Sequence, residues 1–473
     1  MEAAVSDHLM TIDGKSEAGT SGFDVENPAT GEVFAVAPAC GRDQLDWAMA
    51  SAQAAQRDWA RDQDARRSSL QRAAAAITAS AGELAQLLTL EQGKPLVEST
   101  REAHAAAAWF GYYASLPTPV EVLQDGDGVR VTLHRVPLGV VAAVTPWNYP
   151  LLLASFKAAP GLLAGNTVVL KPSPLTPLSS LLLGRVLADV LPPGVLNVVT
   201  GPDSFGPQVT AHDIPRKISF TGSTATGRRV AAGAGLKRVT LELGGNDPAI
   251  LLDDVDPSAV ASKIFASAFA NNGQTCAAVK RVYAPAAMVD AVAEALAAEA
   301  ANKVVGPGSD PSTQLGPLTT AAQRAKVAQY VEDARGRGAR VVHGGELPGG
   351  PGHFYPPTVV AGVPDEAPLA ADEQFGPALP VLPYDTLEDA VARANAGEYG
   401  LGASVWGADL DRAEATAAQM EAGTVWVNTH TALSPRYPFA GHKSSGLGVE
   451  NGVHGYEEFT DVQVRHVVTE GTV

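Results

Sequence analysis

The stretch from 138 to 252 constrains the fold more than any other part of this 473-residue chain. Short apolar or β-branched runs at Leu138–Val144, Thr167–Leu170, Leu196–Val199, Lys217–Phe220 and Arg238–Leu243 alternate with helical stretches such as Pro177–Val190 and Thr224–Ala234. A strand that is apolar on both faces must be covered on both. Helices linking successive strands do this in a parallel, doubly wound sheet. A second alternation runs from about Pro248 to Ala432, with helices expected near 257–271, 285–303, 319–337 and 386–396, and predicts a second α/β domain. Residues 1–40 read as a lead-in of short strands with a turn at Asn27-Pro28-Ala29-Thr30-Gly31. From Arg42 to about Ala114 apolar positions recur at three- and four-residue spacings, as helices require.

Residues 116–135 break that helical pattern. Val120–Leu123, the turn Asp125-Gly126-Asp127-Gly128 and Val129–Leu133 predict a β-hairpin. The tail from Tyr437 carries Gly441, Gly446, Gly448 and Gly452, then a strand-like Val462–Val468.

Composition narrows the function classes. A formal charge of −17 argues against nucleic acid and acidic membrane surfaces as partners, because both demand clustered Lys and Arg. Two cysteines, Cys40 and Cys276, cannot build a disulfide framework, so a reducing compartment is expected. Apolar runs such as Leu151–Ala154 and Leu181–Leu183 are far too short to span a bilayer. The start, Met1-Glu2-Ala3-Ala4, lacks a basic region followed by an apolar stretch, and a cytoplasmic protein is expected.

Four short segments carry chemistry. Asn271-Asn272-Gly273-Gln274-Thr275-Cys276-Ala277-Ala278 is a polar loop, of the kind that favours a thiolate nucleophile at a helix end or near a cation. From Cys276 alone, a small buried apolar side chain is the commoner reading. Glu242, between Leu241 and Leu243 at the end of an apolar strand, is either a base with a raised pKa or half of a structural ion pair. Asn148, in Thr145-Pro146-Trp147-Asn148, is either an amide donor or a turn residue before Tyr149-Pro150. Thr221-Gly222-Ser223-Thr224-Ala225-Thr226-Gly227 follows a strand and opens a helix, which suits a phosphate but equally suits a plain strand–helix turn. Lys171 closes another strand at the carboxyl edge, where ligands of open α/β sheets collect. Cys40 reads as structural, and no metal is expected.

Together the Cys276 loop, Thr145–Asn148, Leu241-Glu242-Leu243-Gly244-Gly245 and Phe220-Thr221-Gly222-Ser223 resemble the aldehyde dehydrogenase superfamily, from about Asn27 almost to the C-terminus. The resemblance implies an α/β architecture. A Rossmann-like NAD(P)-binding domain would cover 1–115 and 136–243, and an α/β catalytic domain 244–435. A small β oligomerisation element would comprise 116–135 and 436–473, in a homodimer or homotetramer. It implies oxidation of a small-molecule aldehyde to its acid. Cys276 would form a thiohemiacetal and then a thioester, and the Asn148 amide with the Cys276 backbone amide would donate to the oxyanion. Glu242 would be the general base for hydrolysis, and Lys157 would assist proton relay. CoA-acylating relatives generally lack that glutamate, so its presence favours hydrolysis to a free acid, with an acylating dehydrogenase as the alternative.

The resemblance further puts cofactor contacts on Thr145, Pro146, Trp147, Lys171, Ser173, Gly222, Ser223, Gly227, Leu243, Glu373 and Phe375. Ser223 would meet the pyrophosphate, Lys171 the adenosine ribose and Glu373 the nicotinamide ribose. Many members carry an acid where this chain has Pro174, and that acid binds the ribose 2′-hydroxyl and repels a 2′-phosphate. NAD against NADP therefore stays open, with NAD favoured. Gln374 departs from an apolar residue found in many members. Phe110, Tyr113, Tyr437 and Phe439, with Trp147, fall near substrate positions but equally suit a core. Arg436 is either an anchor for a substrate carboxylate or a solvent-facing cation.

Overall fold

The computed structural model describes residues 8–469, so the reading of Met1–Ala4 and the last residues of the tail lie outside it. The expected strands are present, with ends moved by one or two residues. In the first sheet the order is Lys15–Glu17, Met10–Ile12, Leu196–Val198, Thr167–Lys171, Val140–Val144, Lys217–Thr221, Arg238–Glu242 and Gly446–Leu447. Neighbours from Leu196–Val198 to Arg238–Glu242 run parallel. Val140–Val144, Thr167–Lys171 and Lys217–Thr221 are buried at every position, which is why they read as continuous rather than alternating apolar runs. Helices Pro150–Leu163 and Leu178–Ala188 lie between them in sequence, the first with proline in its opening turn, where a missing N–H costs nothing.

The second sheet orders Arg340–His343, Thr358–Ala361, Ala378–Tyr384, Val279–Pro285, Asp247–Leu251, Gly402–Trp406 and Thr424–Val427. All its pairings are parallel except that of Arg340–His343 with Thr358–Ala361. Helices Pro257–Phe269, Val289–Ala301, Ala321–Gly336 and Leu387–Asn395 occupy the expected places. The Ala-rich region resolves into helices Arg42–Arg61, Gln63–Ala79, Ala81–Gln92 and Leu96–Ser115. Gly93 stops the third of these at φ +97°, a conformation that a side chain would strain.

The hairpin is formed by Glu121–Gly126 and Val129–Pro137, and Thr460–Val468 adds a third, antiparallel strand. Val122, Leu123, Val464 and Val467 on this sheet are each about half exposed. Before reaching it, the tail pairs His442–Lys443 with Tyr399–Gly400 and Gly446–Leu447 with Arg238–Glu242. Among the described residues no single helix is long and apolar enough to cross a membrane.

The chain crosses from the first large sheet into the second over a short span, and the tail later crosses back. Glu242 ends a strand of the first, Asp247 begins a strand of the second, and only Leu243–Asn246 lie between.

Candidate active site

That crossing, the carboxyl edge of the first sheet and the Cys276 loop come together, since the charges of Glu373, Glu242 and Asp247 all reach Cys276. Asn271, Asn272 and Gly273 follow one another at φ +50°, +53° and +75°, turning the chain sharply after helix Pro257–Phe269. Asparagine is among the few side chains that tolerate this region, which explains the polar run. The loop is then locked by its own amides. Asn272 Nδ2 donates to the Gly316 carbonyl at 2.8 Å, and Gln274 Oε1 accepts from the Thr319 amide at 2.8 Å.

Asn148 is tied to this loop in both directions. Its Nδ2 donates to the Gln274 carbonyl at 2.9 Å, and its own carbonyl accepts from Asn271 Nδ2 at 3.1 Å. Asn148 is buried, and its side-chain oxygen finds no hydrogen-bond partner. Cys276 packs with Ala277, Leu401 and Phe439. Its surroundings differ from the thiolate-favouring ones expected of such a loop. Burial pushes the thiol up to about 12, and the carboxylates of Glu373, Glu242 and Asp247 push the same way. The resting sulfur is therefore a protonated thiol.

Glu242 stands at the strand end, paired across the sheet with Thr221. It is 4% exposed, and neither carboxylate oxygen has a hydrogen-bond partner. Burial holds its carboxyl well above the usual range, Glu450 adds to the rise, and Lys157 opposes it. Lys157 donates to Glu450 Oε1 at 2.6 Å and to Thr221 Oγ1 at 2.7 Å. Glu450 escaped the sequence reading, because one acid inside a glycine-rich tail has no local pattern around it.

The cofactor positions fall along the carboxyl edge. Gly222 donates its amide to the Glu242 carbonyl at 3.0 Å, and a Cβ there would lie 2.6 Å from Phe220 Cζ. Ser223 caps helix Thr224–Gly233 by accepting from the Thr226 amide at 3.3 Å. Gly227 is required because any Cβ would collide with Leu243. Lys171 and Ser173 stand two strands away along the same edge. Burial lowers the Lys171 ammonium to about 8, and its Nζ is held by the Pro172 carbonyl at 3.2 Å. Ser173 Oγ accepts from the Leu175 amide at 3.3 Å. Thr145 has a buried hydroxyl with no partner, and Pro146 is partly exposed beside it.

On the opposite wall Glu373 Oε1 accepts from the Gly245 amide at 3.0 Å, and a Cβ at Gly244 would lie 2.6 Å from its other oxygen. Burial raises the Glu373 carboxyl, and Lys280 opposes that. Phe375, at φ +50°, sets its ring edge-on to Trp147 with centroids 5.4 Å apart. Gln374 turns inward instead, its Nε2 donating to the carbonyls of Ala378 and Lys280 at 2.7 and 3.1 Å. That settles how this loop packs with a polar residue where an apolar one is frequent.

The aromatic positions divide. Phe439 packs beside Cys276. Phe110 and Tyr113 are fully buried in the hydrophobic core around the first sheet, with the Tyr113 hydroxyl donating to the Gly452 carbonyl at 3.3 Å. Tyr437 is 64% exposed and Arg436 is exposed. Cys40 is buried, which pushes its thiol up to about 12.

A family model described as the aldehyde dehydrogenase family matches residues 15–465. Betaine aldehyde dehydrogenase of Sinorhizobium fredii is 40% identical, with 96% of each chain covered. The structure of an aldehyde dehydrogenase from Bacillus cereus in complex with NAD+ superposes with a TM-score of 0.95 at 33% identity, over 98% of this chain and 97% of that one. An NADP-dependent enzyme of E. coli superposes with a TM-score of 0.94 at 34% identity, over 98% of both.

Proposed function

The chain belongs to the aldehyde dehydrogenase family and oxidises aldehydes with NAD(P), and from that premise we propose that it works through a Cys276 thioester hydrolysed with Glu242 as base. The residues along the carboxyl edge suit a dinucleotide. The Thr145 hydroxyl is buried without a partner, and Ser223 opens helix Thr224–Gly233, whose N-terminal amides are donors of the kind a phosphate takes. Ser223 would hold the pyrophosphate, Lys171 and Ser173 the adenosine ribose, and Glu373 with Phe375 the nicotinamide end. Bound there, the nicotinamide supplies the hydride acceptor.

The remaining work falls to the chain itself. As the S–H proton passes to the Glu242 carboxylate, Cys276 Sγ bonds to the aldehyde carbon and the carbonyl oxygen becomes an oxyanion. Of the two N–H bonds that an amide offers, Asn148 spends one on Gln274 and has one left for that oxygen. A neutral donor stabilises the adduct without trapping it. Once the thioester exists, water must attack, and a carboxylate with no hydrogen bonds of its own is free to take its proton. That unpartnered, buried Glu242 is the observation that carries this reading. Lys157 and Glu450, fixed to each other beside it, offer the proton a way onward.

The chemistry favours free acid over acyl-CoA. The relative's name places betaine aldehyde on the substrate panel, together with aliphatic, aromatic and acidic aldehydes. The deciding experiment measures nicotinamide reduction and product with NAD and NADP, with and without CoA, for wild type, Cys276→Ala and Glu242→Gln. Acid as product, with both variants silent in turnover, is expected. Turnover surviving in Cys276→Ala, or acyl-CoA as the main product, overturns the proposal. Given the exposed apolar strands of the three-stranded sheet, the working unit is proposed to be a homodimer or homotetramer.

A further inference from the structure

Lys94 follows the glycine that ends helix Ala81–Gln92, and its side chain is closed to solvent. Its ammonium donates to Glu102 Oε2 at 2.6 Å and to the Asn148 carbonyl at 2.6 Å, and it lies 3.9 Å from the centre of the Tyr149 ring. An ammonium has three donors, and here a carboxylate, a carbonyl and an aromatic face surround it. Glu102 extends the hold. Its other oxygen accepts from the amides of Leu151 and Leu152 at 3.0 and 3.3 Å, in the first turn of helix Pro150–Leu163. One buried ion pair thus grips the chain on both sides of Tyr149-Pro150.

The same loop reaches the nucleophile. The Lys94 amide donates to Gln92 Oε1 at 3.0 Å, Gln92 Nε2 donates to Thr319 Oγ1 at 3.1 Å, and the Thr319 amide donates to Gln274 Oε1 at 2.8 Å. Glu98, one turn before Glu102 on helix Leu96–Ser115, accepts from the Asn271 backbone amide. Burying an ammonium and a carboxylate together carries a large desolvation cost, so such a pair is a poor device for stability alone. What this pair does hold is the carbonyl of Asn148, and with it the direction of the Asn148 side chain.

We propose that Lys94, braced by Glu102, is a positioning residue that sets the Asn148 amide against the oxyanion formed on Cys276. The proposal rests on the reading of Asn148 as oxyanion donor. Displacing a catalytic group by about an ångström costs on the order of a hundredfold, so a lost grip on the Asn148 backbone is visible in rate.

The test needs no nicotinamide. Acylation of Cys276 by p-nitrophenyl acetate passes through the same kind of oxyanion; the sulfur gains the acetyl group and p-nitrophenolate leaves. Its single-turnover rate constant at saturating enzyme is read in the full chain, with Cys276→Ala as the blank, so an unfolded fraction leaves the rate unchanged while the folded enzyme still saturates the ester. Asn148→Ala is expected to slow acylation about a hundredfold and Lys94→Met about tenfold or more. Lys94→Met added to Asn148→Ala is expected to slow it less than about threefold further, because a group acting through Asn148 has nothing left to act on. Lys94→Arg restores part of the rate, and Lys94→Met/Glu102→Gln, which leaves no unpaired buried charge, remains slow. A full, multiplicative effect in the double variant overturns the proposal, as does a wild-type rate in Lys94→Met. A wild-type rate in Asn148→Ala overturns the reading beneath it, and the proposal with it.

Discussion

Lys157 Nζ lies 2.6 Å from Glu450 Oε1, both closed to solvent, and the two charges pull the Glu242 carboxyl in opposite directions. Burial lifts that carboxyl first, Glu450 lifts it further, and Lys157 lowers it. A base works only when ionised, so acid formation is expected to rise with pH through the raised value of Glu242. Glu450→Gln removes a like charge and is expected to move the acid limb of kcat down by about one pH unit; Lys157→Met is expected to move it up. The pH profile of acid production in the three proteins decides this, and a limb that neither variant moves does not belong to Glu242.

The same buried carboxyl bears on stability. Its folded pKa is raised, so the folded state holds the proton more tightly than the unfolded chain, whose value is near 4.5. Below that value both states are protonated and the group costs nothing. As pH climbs from there toward the folded value, ionisation favours the unfolded chain and stability is lost. Glu242→Gln carries no charge, so it is expected to match wild type in melting temperature near pH 4 and to exceed it by several degrees at pH 8. A constant offset across that range would mean the carboxyl is not the cause.

The Cys276 thiol makes a third test. Burial dominates its rise to about 12, with Glu373 the first charge behind it. Alkylation by iodoacetamide in the free enzyme is therefore expected to be slow at pH 7.5 and to quicken as pH rises. Glu373→Gln is expected to speed it severalfold at that pH, because one repelling charge is gone. Equal rates in both proteins would show that Glu373 does not reach the sulfur.

The strands were legible because burial on both faces leaves an unbroken apolar run, as at Val140–Val144, and the helices because their spacing repeats. Cys276, Glu242 and Asn148 stood out as candidates by motif, since each sits in a short stretch of distinctive residues. What local sequence could not carry is pairing across distance. Glu450 meets Lys157 from 293 positions away, and Lys94 meets Asn148 from 54. The charges around the sulfur were not legible for the same reason. Glu373, Glu242 and Asp247 arrive at Cys276 from separate segments, and a polar loop says nothing of three carboxylates that other elements bring to it. Aromatic residues mislead in the opposite way, since Phe110 in the core and Phe439 beside the nucleophile carry the same ring.

Coenzyme choice is proposed to turn on Pro174. It follows Ser173, and both stand just past Lys171 at the carboxyl edge proposed for the adenosine ribose. Burial lowers the Lys171 ammonium to about 8, so it is largely but not wholly charged at neutral pH, while Asp203 supports the charge. With no carboxylate at 174, a 2′-phosphate would meet a cation and a hydroxyl, with Asp203 the like charge that reaches Lys171. The wild-type protein is therefore expected to turn over both coenzymes, NAD the better. Pro174→Glu would add a carboxylate able to accept from the ribose hydroxyls and to repel a phosphate. Its kcat/KM ratio of NADP to NAD is expected to fall at least about tenfold, a difference of about 1.4 kcal/mol that one like charge at close range supplies. Steady-state kinetics with one aldehyde and both coenzymes measure that ratio directly. An unchanged ratio would move the adenosine ribose away from residue 174, and the assignment of Lys171 and Ser173 would go with it.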